Sequence, residues 1–177
     1  MEVSVTLADI EDARDLFLLA KDRLLDVNDW GHLFPGSYNI SLTDRKGRPL
    51  HRSAHVDDMI YIAVDNGSGM WISIRTIQYD LFPDIESELI SMLLQPAHSP
   101  SGLSTGAYPM REETILIKRE STTLTAHCNA GNELPESRDR NPNAHLNTDF
   151  DLHPALNILQ ADLQGLLKGL ITVNGHG

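Results

Sequence analysis

His51 and His55 stand four residues apart and are followed by Asp57 and Asp58, residue types that can hold a divalent metal. A paired-histidine zinc site uses a helical turn to bring residues four apart onto one face. Here Pro49 precedes the pair and a strand-like stretch follows, so the segment reads as a surface loop and no metal site is expected. Asp84, Glu86 and Glu88 are a second cluster, beside Pro83. General acid–base work would require one of them buried with a raised pKa. Nothing local argues burial, and a solvated turn is the natural reading.

Cys128 is the only cysteine, which excludes an intramolecular disulfide and a cysteine zinc site. It lies in a strand-like stretch, where a free thiol usually behaves as a small buried hydrophobe. In the same stretch His127 shares parity with Thr125 and Asn129, opposite Leu124, Ala126 and Cys128. That parity puts His127 on the solvent face; a polar inner face would instead let His127, Arg119 and Arg75 line a cavity. Arg75, Tyr79 and His127 are the residues a catalytic reading would use. His98 and His145 fall in loops and read as solvated.

The sequence contains no phosphate loop, nucleophile elbow or zincin pattern. Asn66-Gly67-Ser68-Gly69-Met70 is glycine-rich but joins two strands, so it lacks the helix N-terminus that cradles phosphate. Arg45-Lys46-Gly47-Arg48, the densest basic run, reads as a turn. The net charge of −11 repels nucleic acid and anionic membrane, so neither is expected as a partner. Residues 1–177 are long enough for one domain with a full core. No signal-peptide pattern and no membrane-length apolar run is present, so a cytoplasmic protein is expected. No cofactor is called for.

The elements that position these residues begin with alternation over Met1–Leu7, a half-buried strand. Asp9 offers an N-cap, with Glu11 and Asp12 in the first turn. Ile10, Ala13, Phe17, Ala20, Leu24 and Val27 then recur at alternating spacings of three and four, a helical stripe. Leu16, Leu19 and Leu25 widen it, while Arg14, Asp15, Lys21, Asp22 and Arg23 take the wet side. The helix is expected to end near Asn28, with a turn from Asp29 and a break at Pro35-Gly36.

Strands follow over Ser37–Thr43, Asp58–Asp65, Met70–Asp80, Leu89–Gln95, Glu113–Glu120 and Thr123–Ala130. In Met70–Asp80, Ile72 and Ile74 have one parity while Trp71, Ile77 and Tyr79 have the other, which predicts a bulge or bend. Pro96 is expected to end its strand. Pro96–Arg111 is long enough for a lid, and Gly131–Asp151 reads as a polar surface segment. Leu156, Leu159, Leu163, Leu166 and Leu170 mark a last helix opened by His153-Pro154, in which Gly165 and Gly169 would approach the sheet.

Strand, helix, the Trp-containing segment Asp26-Val27-Asn28-Asp29-Trp30, about six strands and a C-terminal helix resemble the START/polyketide-cyclase-like (SRPBCC) superfamily. The likeness covers almost the whole chain as a pattern, with unspecific motifs. It implies an α+β helix-grip fold, in which a curved antiparallel sheet of six or seven strands packs on a long C-terminal helix around an apolar cavity. Only His32–Gly36 is available for the second short helix that the family commonly inserts. The resemblance implies a small apolar ligand and makes the Trp30–Gly36 turn one cavity wall. Trp30, Arg75, Tyr79 and His127 are then the ligand-binding candidates, and Trp30 should be buried. Fold likeness carries no reaction with it. Two alternatives stand beside ligand binding: a homodimer or interaction module using Met59, Tyr61 and Trp71, and a cyclase- or hydratase-like enzyme.

Overall fold

The computed structural model describes residues 1–33, 38–63, 69–102, 112–130 and 154–173, with side chains of the last helix described from residue 163 onward. The expected Pro35-Gly36 break, the Asn66–Ser68 turn, Gly131–Asp151 with His145, and most of the Pro96–Arg111 loop lie outside these residues.

Strand β1 (Glu2–Thr6) leads into helix α1 (Ile10–Leu25), whose Asp9 N-cap carboxylate accepts the Asp12 N–H at 2.9 Å. A 3-10 turn (Val27–Asp29) and the short helix α2 (Trp30–Leu33) follow. Thus α1 ends earlier than expected, and the expected turn at Asp29–His32 is helical. Six strands come next: β2 (Asn39–Thr43), β3 (Met59–Ala63), β4 (Gly69–Phe82), β5 (Ser87–Ala97), β6 (Glu113–Glu120) and β7 (Thr123–Ala130). Helix α3 (Pro154–Ile171) closes the chain.

The fold is α+β. Among the described residues seven strands form one curled antiparallel sheet in the order β1-β7-β6-β5-β4-β3-β2, so β1 and β7 are neighbours. The period of two decides what each face carries. Ile40, Leu42, Ile60, Ile62, Ile72, Ile74, Ile90, Met92, Leu94, Ile115, Ile117, Leu124, Ala126 and Cys128 share the inner face and are buried. They form one continuous cluster with Ala13, Phe17, Ala20 and Leu24 of α1 and Leu166, Leu167, Leu170 and Ile171 of α3.

The expected irregularity in β4 is a β-bulge. Ile74 pairs with Leu94 and Thr76 with Leu93, leaving Arg75 as the extra residue. One unpaired residue shifts the parity, so Ile77 and Tyr79 join the face that Ile72 and Ile74 occupy before it. Pro96, in contrast, does not end its strand: it pairs with Ile72 inside β5. β6 reaches only as far as Leu94, so Pro96 has one open side where its missing N–H costs no ladder bond.

Three other expectations need correction. Leu19 is 40% exposed, because the buried arc of α1 centres on Ala13, Phe17, Ala20 and Leu24. Gly169 approaches α2 rather than the sheet: a Cβ there would lie 2.9 Å from Leu33 Cβ. Arg23 leaves the wet side and donates to the carbonyls of Gly169 (3.1 Å), Leu170 (3.2 Å) and Thr172 (2.7 Å). These are the unpaired acceptors at the negative end of α3, where a cation is favoured. Trp30 locks the same corner. It is buried as expected, at 3% exposure, and its indole N–H donates to the Arg23 carbonyl at 3.1 Å.

Asn28 bridges the corner to the sheet by accepting the Leu42 N–H at 2.9 Å and donating to the Leu50 carbonyl at 2.8 Å. Among the described residues, no helix is long and apolar enough to cross a membrane. Replacing Arg23 with Ala leaves the carbonyls of Gly169, Leu170 and Thr172, at and just beyond the end of α3, without their shared donor. It is expected to lower unfolding free energy by about 1.5–3 kcal/mol in urea denaturation, in line with hydrogen bonds to charged groups. An unchanged midpoint would show that the cap contributes nothing.

Candidate functional site

The concave face of the sheet is apolar and packs against α1 and α3, and among the described residues the polar groups on it stand at its two ends. At one end, β5 and β6 place Glu88 opposite Arg119 on the inner parity. Glu88 is 6% exposed and Arg119 2%, and Arg119 Nε donates to Glu88 Oε1 at 2.6 Å. The guanidinium also donates from Nη1 to the carbonyls of Glu86 (3.1 Å) and Ser121 (2.9 Å). Glu86 (φ 48°) and Ser121 (φ 53°) are both left-handed turn residues without the freedom of glycine. Arg119 therefore ties the β4–β5 turn to the β6–β7 turn at the point where each is strained.

Glu88 was expected in a solvated turn with Asp84 and Glu86. It is instead a strand residue of the inner face, buried because Arg119, thirty-one residues later, neutralises it. Tyr79, brought to the same face by the Arg75 bulge, donates its hydroxyl to Glu88 Oε2 at 3.2 Å. Burial, and then the neighbouring Glu88 carboxylate, push the Tyr79 phenol above its ordinary value. At neutral pH it is a hydrogen-bond donor, not a base. Phe17 stands 6.3 Å from its ring centroid and Lys21 Nζ 5.3 Å above it, so α1 covers this end.

At the other end Glu113 and Cys128 share the inner parity of β6 and β7, with Sγ 3.8 Å from Glu113 Oε2. Burial raises the Glu113 carboxyl above the usual range. Burial and the Glu113 charge push the Cys128 thiol up to about 12, so it is a buried thiol and not a nucleophile.

The ligand-binding candidates occupy separate places. Trp30 lies in the α1–α2 corner, and Tyr79 lies on the inner face beside Glu88. Arg75 is exposed at the bulge. His127 is half-buried on the outer face, paired with Glu2 and Leu116, since Ala126 and Cys128 take the inner parity. Tyr79 and His127 thus point to opposite faces of strands that have β5 and β6 between them. The residues missed by sequence reasoning are Glu88, Arg119 as its partner, and Glu113. The available signal was parity: Arg119 follows Ile115 and Ile117 at alternate positions.

The metal-compatible loop has a different use. His51 and His55 are exposed, while Asp58 is 7% exposed and bonds bidentately to Arg52 at 2.6 and 2.9 Å. It also accepts the His55 N–H at 2.8 Å, which ties the loop at the entrance to β3. No group of three His, Cys, Asp or Glu among the described residues is placed to hold a metal. On the outer face Tyr61 and Trp71 pair across β3 and β4 with ring centroids 4.7 Å apart, whereas Met59 is buried.

Comparison with protein-family models, with curated proteins and with solved structures finds no match.

Two outcomes follow. Arg119→Met strands a buried Glu88 carboxylate and is expected to cost about 3–5 kcal/mol, with Arg119→Met/Glu88→Leu recovering much of it. A double variant as unstable as the single one would contradict this. For Glu113, the raised folded-state pKa means the native state holds its proton longer than the unfolded chain. Its contribution to stability is present below the ordinary carboxylate pKa and is lost as pH rises to the folded value. Glu113→Gln should flatten that decline and raise the neutral-pH denaturation midpoint. A steeper decline would reverse the sign.

Proposed function

We propose that the protein binds a small apolar ligand between the concave face of its sheet and the C-terminal helix, as the helix-grip resemblance implies. One observation carries the reading. Seven strands turn a single apolar face toward α1 and α3, with its polar groups confined to the two ends. Ligand sites of this kind are concave and apolar with a few placed polar groups. The order of elements supports the same reading: β1, two helices, six strands and a closing helix, with β1 and β7 adjacent. So does α2 (Trp30–Leu33), which supplies a second short helix ahead of the expected His32–Gly36 stretch.

Under this reading Tyr79 and Glu113 are the polar contacts, one at each end of the face, and Trp30 backs the α1–α2 corner. Burial makes the Glu113 charge costly, and an ionised Glu113 would repel an acidic ligand. A ligand bearing a neutral polar group, such as a hydroxyl, therefore fits this end best. Arg75 and His127 contribute less, being exposed and on the outer face respectively.

Native mass spectrometry of the full chain as expressed is the test, followed by titration with anilinonaphthalene sulfonate. The expected result is a co-purified small molecule, or a saturable site of unit stoichiometry that Tyr79→Phe weakens. A bare polypeptide mass with no saturable probe binding would overturn the reading.

A further inference from the structure

The second half of β4 has a partner on one side only. β3 pairs with Gly69–Ser73, and Ile74 closes that contact by accepting the Asp57 N–H (2.8 Å) and donating to the Asp58 carbonyl (2.9 Å). From Thr76 to Phe82 the strand pairs with β5, and no described residue pairs with its other edge. Since the Arg75 bulge shifts the parity by one, Ile77, Tyr79 and Leu81 inherit the orientation of Ile74 and direct their N–H and C=O groups to the open edge.

The same edge exposes apolar side chains. Tyr79 is 47% exposed, Leu81 56%, Phe82 44% and Ile85 69%. Leu18, 47% exposed, stands on the α1 flank shared with Arg14 and Lys21. A long open edge bearing apolar side chains is a template for another strand. Native edges are usually protected by being short, bulged away or charged throughout.

Along the strand itself the charges differ in sign, Arg75 at one end and Asp80 at the other. At the far end Arg14 of α1 stands 4.0 Å from Glu86, and Lys21 lies over the Tyr79 ring. Two copies of one strand related by a two-fold axis run antiparallel, so each end meets the opposite end of its mate. Pairing about Gln78 sets Thr76 opposite Asp80 of the partner subunit and brings Arg75 within diagonal reach of that carboxylate. A single-signed edge would repel its own copy; this one is self-complementary despite the chain's net charge of −11.

We propose that the protein forms a two-fold dimer by antiparallel pairing of β4 with β4 of a second copy. The two sheets join into one, and Tyr79, Leu81 and Phe82 lose their exposure. The surface is distinct from the outer-face pair Tyr61 and Trp71.

Sedimentation equilibrium of the full chain over a wide dilution series tests this. The expected result is a mass that doubles with concentration. Leu81→Pro removes one edge N–H without touching the β4–β5 ladder and should return the chain to monomer with an unchanged circular dichroism spectrum. Arg75→Asp and Asp80→Arg should each weaken dimerisation by about tenfold, and the double charge swap should restore it. A monomer at every concentration, or a dimer indifferent to all of these variants, would overturn the proposal.

Discussion

The buried ion pair between Arg119 and Glu88 is the constraint around which the sheet's closed end is built. A carboxylate and a guanidinium taken out of water are costly unless each finds its full set of partners. Here Arg119 meets Glu88 and two turn carbonyls, and Glu88 receives Tyr79 as well. The geometry ties two β-connections, the turn through Glu86 and the turn through Ser121, to the Arg75 bulge inside β4 that aims Tyr79. Packing of α1 over this end, through Phe17 and Lys21, then follows from where Tyr79 is held.

A second constraint acts at the other side of the same helix. Arg23 satisfies the C-terminal carbonyls of α3, and Trp30 bonds back to the Arg23 carbonyl. Between the Arg119 clamp and the Arg23 cap, α1 is fixed at both the sheet and the closing helix. The concave face is thereby framed: strands on one side, α1 and the described part of α3 on the other, and polar groups only at its ends. The proposed ligand site lies within this frame, whereas the second half of β4 runs along its open edge.

Much of the architecture was legible because alternation and helical spacing are local signals. Glu113–Glu120 and Thr123–Ala130 have the bounds read from their periods, and the parity break after Ile74 announced its bulge. Cys128 and Trp30 are buried as residue chemistry suggests. What was not legible depends on partners distant in sequence. Glu88 sits beside Pro83 like a turn carboxylate, and only Arg119 makes its burial tolerable. Arg23 occupies the wet arc of its helix, and only the end of α3, 146 residues later, gives it a use. Pro96 looked like a stop because its open side depends on where β6 begins. The site was the least legible part, since which parity faces inward is decided by all seven strands together.

The claim that the concave face receives a ligand is tested most directly by nuclear magnetic resonance of methionine methyl groups. Met70 and Met92 are on the inner face, whereas Met59 is buried against the outer one. Titration with octanol, a neutral apolar probe with one hydroxyl, should move the Met70 and Met92 resonances saturably and leave Met59 in place. Shifts confined to Met59, or no saturable shift at any of the three, would contradict the account.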